Sequence, residues 1–405
     1  MSAVRVDFRT IRLTKRVPLA ISRGVSAGSS NLFVRAHYAG ATGLGEMASG
    51  AATAAEGEAA LRDFCARLTG FGDGDSAAPD IADMHARALA HGVPANALAA
   101  LDMALWDALA KRAGLPLYQL MGLGKPTAPT SITLGICAPE VARERVPELL
   151  GGGDGGDRAP KFRALKIKLG APAGIDADRA MFAAVVEALG DIDGGRGVAL
   201  RVDANGGWNL RDAQSMMGWL AARGVEFVEQ PLAAGREAEL PALYKNRPLP
   251  IVVDESCRFA GDIPALAAAV DGVNLKLMKC GGITGALAII AAARAHDLRV
   301  MVGCMSESSL AISAAAALGG ALDTIDLDSH FNLAPDPCRG ARLVDGVVMP
   351  AERPGHGAKI IGGFDGDDGE GDGAGDGAGD GEGDGAGEGD GDSDSATDNR
   401  GQKSC

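Results

Sequence analysis

From Ser131 onward, short apolar runs alternate with helix-length, alanine-rich segments. The runs are Ser131–Leu134, Ala164–Leu169, Val198–Val202, Glu226–Val228, Ile251–Val253, Gly272–Leu277, Arg299–Val302 and Thr324–Leu327. This rhythm constrains the fold more than any other feature. Strands joined through helices must run parallel, and parallel strands are covered on both faces, which is why they read as unbroken apolar runs. Eight such units predict a parallel (β/α) barrel, with a doubly wound open sheet as the alternative. A barrel carries its chemistry at the C-terminal ends of its strands, so the residues that end each run are the ones to read.

The flanking segments differ in kind. Residues 1 to about 50 alternate apolar and polar side chains (Val4, Val6, Phe8; Leu32, Val34) around a Gly28–Ser30 turn signal, predicting an antiparallel sheet with hairpins. From Ala54 to Gly122 the spacing becomes helical: Ala97, Leu101, Ala104, Leu105 and Leu109 share a face, and Gly114-Leu115-Pro116 stops the helix. The division expected is an α+β module over 1–125, a barrel over 126–350, a return segment over 351–362 and a Gly/Asp-rich tail over 363–405. Residues 151–156 and 191–197 read as surface loops. From Asp365 to Cys405 there are 14 acidic and two basic side chains, so the tail holds −12 of the chain's −14 and the body only −2. A segment so poor in apolar residues cannot offset its ordering entropy and is expected to be disordered.

Composition removes several function classes. The acidic balance argues against nucleic acid or an anionic membrane as partner. No apolar stretch approaches the roughly 20 residues of a membrane span, and no signal peptide is evident. The seven cysteines show no Cys-x-x-Cys pair and read as reduced intracellular thiols. Neither a Gly-x-Ser-x-Gly elbow nor a phosphate-binding lysine loop occurs.

The strand ends are more specific. The second run ends Lys166-Ile167-Lys168, and at period two both lysines share one side. Two ammonium groups that are close and partly buried lower each other's pKa, which is how lysine becomes a base near neutral pH. The third, fourth and fifth runs end in Asp203, Glu229 and Asp254. Helix capping explains one such carboxylate. Three on consecutive units need a cation among them, and an all-oxygen set suits Mg²⁺, or Mn²⁺. Glu255 is a further acid, outside the metal set or paired with a lysine. The sixth run carries Lys276, across the mouth from Lys168, and the eighth places Asp326 and Asp328 on one side, suited to an ammonium group.

In this order and spacing, KIKLG, RVDANGGW, VEQPL, VDES, NLKLMKCGGIT, GCMSESSL and the late DLD resemble the enolase superfamily, muconate-lactonizing subgroup, and most of all its dipeptide epimerases. The resemblance spans nearly all of residues 3–350. It implies a (β/α)₇β TIM-like barrel with an N-terminal α+β capping domain. It matches Asp203, Glu229 and Asp254 to ligands of one Mg²⁺ per subunit, Lys168 and Lys276 to the acid/base pair, and Lys166 to an accessory lysine. It matches Asp326 and Asp328 to the holder of a dipeptide's α-ammonium group, and Arg23, in the capping loop, to an arginine that grips a glutamate side chain. The implied reaction inverts the α carbon of a dipeptide's C-terminal residue through an enediolate, with L-Ala-L-Glu and L-Ala-D-Glu favoured. A cytoplasmic homo-oligomer working in muropeptide recycling is the implied setting. The alternatives are o-succinylbenzoate synthase, N-acylamino acid racemase or cycloisomerase chemistry, or a catalytically silent binding protein. A histidine base after the seventh strand, as in the mandelate racemase branch, is absent from Val302-Gly303-Cys304-Met305.

Overall fold

Alternation in the first 47 residues builds a three-stranded antiparallel sheet from β1 (Val4–Ile21), β2 (Gly24–Tyr38) and β3 (Ala41–Met47), in that order. The computed structural model describes residues 4–68, 80–151, 161–192 and 194–365. The β1–β2 hairpin turns at Ser22-Arg23 rather than at the expected Gly28–Ser30, which lies within β2. Gly28 serves close approach instead, since a Cβ there would stand 2.3 Å from the Leu13 carbonyl oxygen.

Three helices follow: α1 (Ala54–Arg67), α2 (Ile81–Ala90) and α3 (Ala95–Ala113), then the short α4 (Leu117–Leu120). Thr53 and Glu56 form a reciprocal capping box on α1, and Gly114, at φ 68°, ends α3 where the sequence places the stop. Helix α3 is apolar nearly all round because both sides are covered. Leu98, Leu101 and Leu105 pack into the core of the N-terminal sheet, while Ala99, Met103 and Ala110 belong to the core of the barrel. Gly43 and Gly45 of β3 permit this packing: a Cβ at either would lie 1.9 Å from a carbonyl oxygen of α3.

The eight apolar runs form one parallel sheet in sequential order: β4 (Ser131–Leu134), β5 (Ala164–Lys168), β6 (Ala199–Asp203), β7 (Val225–Glu229), β8 (Ile251–Val253), β9 (Gly272–Leu275), β10 (Arg299–Val302) and β11 (Thr324–Ile325). The first and last strands are joined by a bridge between Thr130 and Ile325 and by a 2.8 Å hydrogen bond from Leu327 N to Thr130 Oγ1. The ring is thus a barrel and not an open sheet. Its connecting helices are α5 (Pro139–Leu150), α6 (Ile175–Gly190), α7 (Leu210–Ala221), α8 (Leu240–Tyr244), α9 (Ile263–Leu266), α10 (Leu277–Cys280), α11 (Ile283–Ala295) and α12 (Ser309–Ala316). The sixth strand is shorter than its apolar run: β9 stops at Leu275, and Lys276 caps α10.

Glu46, buried at the end of β3, ties the sheet domain to the barrel. Its carboxylate accepts from Asn31 Nδ2 (2.6 Å), from Ser308 Oγ (2.6 Å) and from the backbone nitrogens of Ser308 and Ala311, at the start of α12. An anion at a helix N-terminus satisfies donors that the helix itself cannot. After the barrel the chain returns through two small ribbons, β12 (Cys338–Arg339) with β15 (Lys359–Ile360) and β13 (Arg342–Val344) with β14 (Val347–Met349). Residues 363–365, which the sequence assigns to the tail, pack on the N-terminal sheet. Arg9 donates to the carbonyls of Gly363 and Phe364, and Arg35 lies over the Phe364 ring and pairs with Asp365 at 2.7 Å. The expectation of disorder beyond that point concerns residues outside the described ones.

Candidate active site

The mouth of the barrel gathers charge. On β5 the alternation turns Lys166 and Lys168 to the same side, and both are buried. Lys166 Nζ stands 2.7 Å from Asp326 Oδ2, 2.7 Å from Glu229 Oε2 and 3.3 Å from Asp203 Oδ2, whereas Lys168 Nζ pairs with Asp203 Oδ2 at 2.5 Å. Lys276, from the end of β9, pairs with Asp254 Oδ2 at 2.7 Å. Six carboxylates and lysines from β5 to β9 (Lys166, Lys168, Asp203, Glu229, Asp254 and Lys276) therefore gather with Asp326 of the eighth unit in one cluster. In an eight-membered ring β5 and β9 lie four strands apart, so Lys168 and Lys276 approach the carboxylates from opposite sides.

The electrostatics follow from these pairs. Burial disfavours every charge here, yet Asp326, Glu229 and Asp203 outweigh it and hold Lys166 well above the ordinary lysine range. Against burial, Asp254 likewise raises Lys276. For Lys166 this reverses the expectation that a neighbouring ammonium group depresses it, because carboxylates contact it at 2.7 Å. Against the same burial, Lys168 and Lys166 hold Asp203 at about 2, and Lys276 and Lys279 hold Asp254 below the usual carboxylate range. Glu229 goes the other way, pushed up to about 7 by burial and by Asp203. Asp328 rises to about 6 through burial and Asp326, and its Oδ2 accepts from Thr133 N at 2.7 Å.

Several buried oxygens in this cluster lack a donor. Lys166 sits near Glu229 Oε2 but off the hydrogen-bonding direction, so that atom is unsatisfied, as are Asn205 Oδ1 and Asp326 Oδ1. Among the described residues no three acidic, histidine or cysteine side chains stand in a ready-made ligand cage, because the lysines intervene. Even so, Asp203, Glu229 and Asp254, with the unsatisfied Glu229 Oε2 among them, form the all-oxygen, anionic set that suits Mg²⁺. The free oxygen of Asp326 suits a cationic donor such as an ammonium group.

Residues the sequence reading passed over hold this arrangement. Asn274 Nδ2 donates to Glu229 Oε1 at 2.8 Å, and Asn205 donates to Asp203 from its backbone N (2.8 Å) and from Nδ2 (3.1 Å). Lys279 donates to the Asp254 carboxylate and to the carbonyls of Cys257 (3.1 Å) and Asn274 (2.8 Å). Gln230 Oε1 accepts from Asp254 N at 2.8 Å, fixing β7 against β8. Period two could have shown two of them, since Asn205 follows Asp203 by two and Asn274 precedes Lys276 by two. Arg23 reaches the mouth from the β1–β2 hairpin, but its guanidinium meets Glu255 Oε1 at 2.5 Å. Glu255 therefore pairs with an arginine of the N-terminal domain and not with a barrel lysine.

Known proteins resemble this chain over most of its length. Residues 4–122 match the mandelate racemase/muconate lactonizing enzyme N-terminal domain, and residues 154–362 match the enolase C-terminal domain-like family. The chain is 55% identical over 361 residues to a hydrophobic dipeptide epimerase of Roseobacter litoralis, covering 88% of this chain and 99% of that protein. It is 37% identical over 267 residues to an L-Ala-D/L-Glu epimerase of Bacteroides thetaiotaomicron, covering 65% and 64%. A dipeptide epimerase from Cytophaga hutchinsonii, solved with Mg and D-Ala-L-Val, superposes with a TM-score of 0.78 at 27% identity, over 88% of this chain and 95% of that one.

Proposed function

The chain belongs to the mandelate racemase/muconate lactonizing enzyme family, and from that premise we propose that it is a Mg²⁺-dependent dipeptide epimerase. The observation that carries the proposal is the placement of Lys168 and Lys276 on opposite sides of Asp203, Glu229 and Asp254. Removing a proton α to a carboxylate creates a dianionic enediolate, whose charge must be met where it develops. Asp203, Glu229 and Asp254 would hold Mg²⁺, which supplies Lewis-acid stabilisation of that charge. Lys168 and Lys276 each face one side of the α carbon: one takes its proton, the other returns a proton from the opposite side, and the centre inverts. For the reverse reaction they exchange roles. Lys166 adds positive charge beside the developing anion and keeps Asp326 and Glu229 in place.

Asp326 and Asp328 hold the substrate's α-ammonium group, and the free Asp326 Oδ1 supports this. That choice separates a dipeptide from the substrates of β-elimination or lactonizing relatives, which present no ammonium group. The substrate is a small dipeptide; the name of the Roseobacter relative supports apolar residues and that of the Bacteroides relative supports L-Ala-L-Glu. A cytoplasmic homo-oligomer acting on muropeptide fragments fits this reading. No helix among the described residues is long and apolar enough to cross a membrane.

The test is a library of L,L-dipeptides incubated with the purified protein and Mg²⁺ and read by chiral chromatography. Accumulation of L,D-products from a subset, abolished by EDTA and restored by Mg²⁺, is the expected outcome. No inversion with any dipeptide contradicts it.

A further inference from the structure

We infer that Arg23 is a latch, with Glu255 as its catch, and that the pair confines the enzyme to dipeptides whose C-terminal side chain is uncharged. The inference rests on the dipeptide epimerase reading and assigns the substrate class of that site. The tip of the β1–β2 hairpin crosses from the N-terminal sheet to the barrel mouth and is fastened at three places. Ala20 O accepts from Ile136 N at 2.9 Å, just after β4. Ser22 Oγ and Arg23 Nη1 both donate to the carbonyl of Asn205, at 2.9 and 2.8 Å. Arg23 Nη2 meets Glu255 Oε1 at 2.5 Å.

The anchor points sit next to the reaction chemistry. Asn205 adopts the left-handed conformation (φ 44°), so its nitrogen and side chain hold Asp203 while its carbonyl serves the hairpin. Glu255 directly follows Asp254. One guanidinium thus clasps two loops, each within two residues of a carboxylate proposed to bind Mg²⁺. Its planar fork is already occupied by a carboxylate and a carbonyl. An acidic substrate side chain would have to displace Glu255, whose other oxygen, Oε2, is buried and has no donor. Displacement would strand that carboxylate and open the hairpin together. An uncharged side chain leaves the latch shut.

Arg23 and Glu255 are positioning residues, tested by Arg23→Met, Glu255→Gln and the charge swap R23E/E255R. Each is measured for kcat and KM on L-Ala-L-Leu and L-Ala-L-Glu, and for amide hydrogen exchange over residues 20–25. Exposed ion pairs are weak, so changes of about fivefold are expected. Arg23→Met raises KM for L-Ala-L-Leu about fivefold, leaves kcat within about twofold, and speeds hairpin exchange. Glu255→Gln frees the guanidinium and raises the L-Ala-L-Glu to L-Ala-L-Leu ratio of kcat/KM by about fivefold or more. The swap restores hairpin protection and the wild-type ratio. Selective loss of L-Ala-L-Glu turnover in Arg23→Met would make Arg23 a receptor for the substrate anion and overturn the latch. Unchanged hairpin exchange in Arg23→Met would overturn it as well. If the wild type inverts no dipeptide, the epimerase reading fails, and hydrogen exchange alone still decides whether the latch exists.

Discussion

At the scale of single residues, the mouth is a cluster in which no charge is left alone. Lys166 touches three carboxylates and Lys279 holds one carboxylate and two further carbonyls. Among Asp203, Glu229 and Asp254, Glu229 is the one with an unsatisfied oxygen, so it has most to gain from a cation. Mg²⁺ is therefore expected to raise the thermal midpoint of the wild type through binding to the folded state alone, and Glu229→Gln is expected to cancel that rise. His330, outside the proposed ligand set, gives a separate prediction. Its two ring nitrogens are buried without partners, and burial pushes its pKa from 6.5 down to about 4. The folded protein therefore takes up that proton later than the unfolded chain. Its share of stability is complete above the unfolded pKa and is lost as pH falls toward about 4, by about 3 kcal/mol in total. In His330→Leu, denaturant unfolding between pH 7 and 4 should lack that slope.

At the scale of elements, the barrel was legible because parallel strands bury both faces and leave apolar runs, whose ends carried the charged residues. Period two then placed Lys166 with Lys168 and Asp326 with Asp328. The hairpin turn was not legible. β1 and β2 are long strands with a register shift between Thr14 and Leu19, so glycine at 28 marks backbone approach and the true turn has only Gly24 as a signal. The roles of Asn205, Asn274 and Lys279 were not read because they act on other residues of the site: period two puts the two asparagines on the right side, but their partners show only in the fold. The direction of the Lys166 shift was misread for a similar reason: the sequence shows which charges are near in the chain, while the pKa is set by those near in space. The β3–α3 contact yields a stability prediction. Gly45→Ala would drive a methyl into the Ala100 carbonyl, 1.9 Å away. It should cost about 2 kcal/mol in equilibrium unfolding, and Gly40→Ala, at an open turn, should not disturb packing in this way.

At the scale of the whole molecule, the charge divides from the chemistry. The chain carries −14, but its last 41 residues account for most of that, and the working site balances carboxylates with lysines. Truncation after Asp365 should leave kcat/KM within about twofold, since every side chain assigned to the site precedes it. Truncation before Gly363 removes Phe364 and Asp365 from Arg35 and should lower the thermal midpoint without changing the residues at the mouth.

The central claim is that two lysines serve opposite faces of one carbon, and α-proton exchange in D₂O tests it most directly. With a dipeptide that the wild type inverts, each epimer should incorporate deuterium. Lys168→Ala and Lys276→Ala should each lose inversion, and each should retain exchange for only one epimer, the two variants choosing opposite epimers. Inversion surviving in either variant, or both variants favouring the same epimer, would contradict the account.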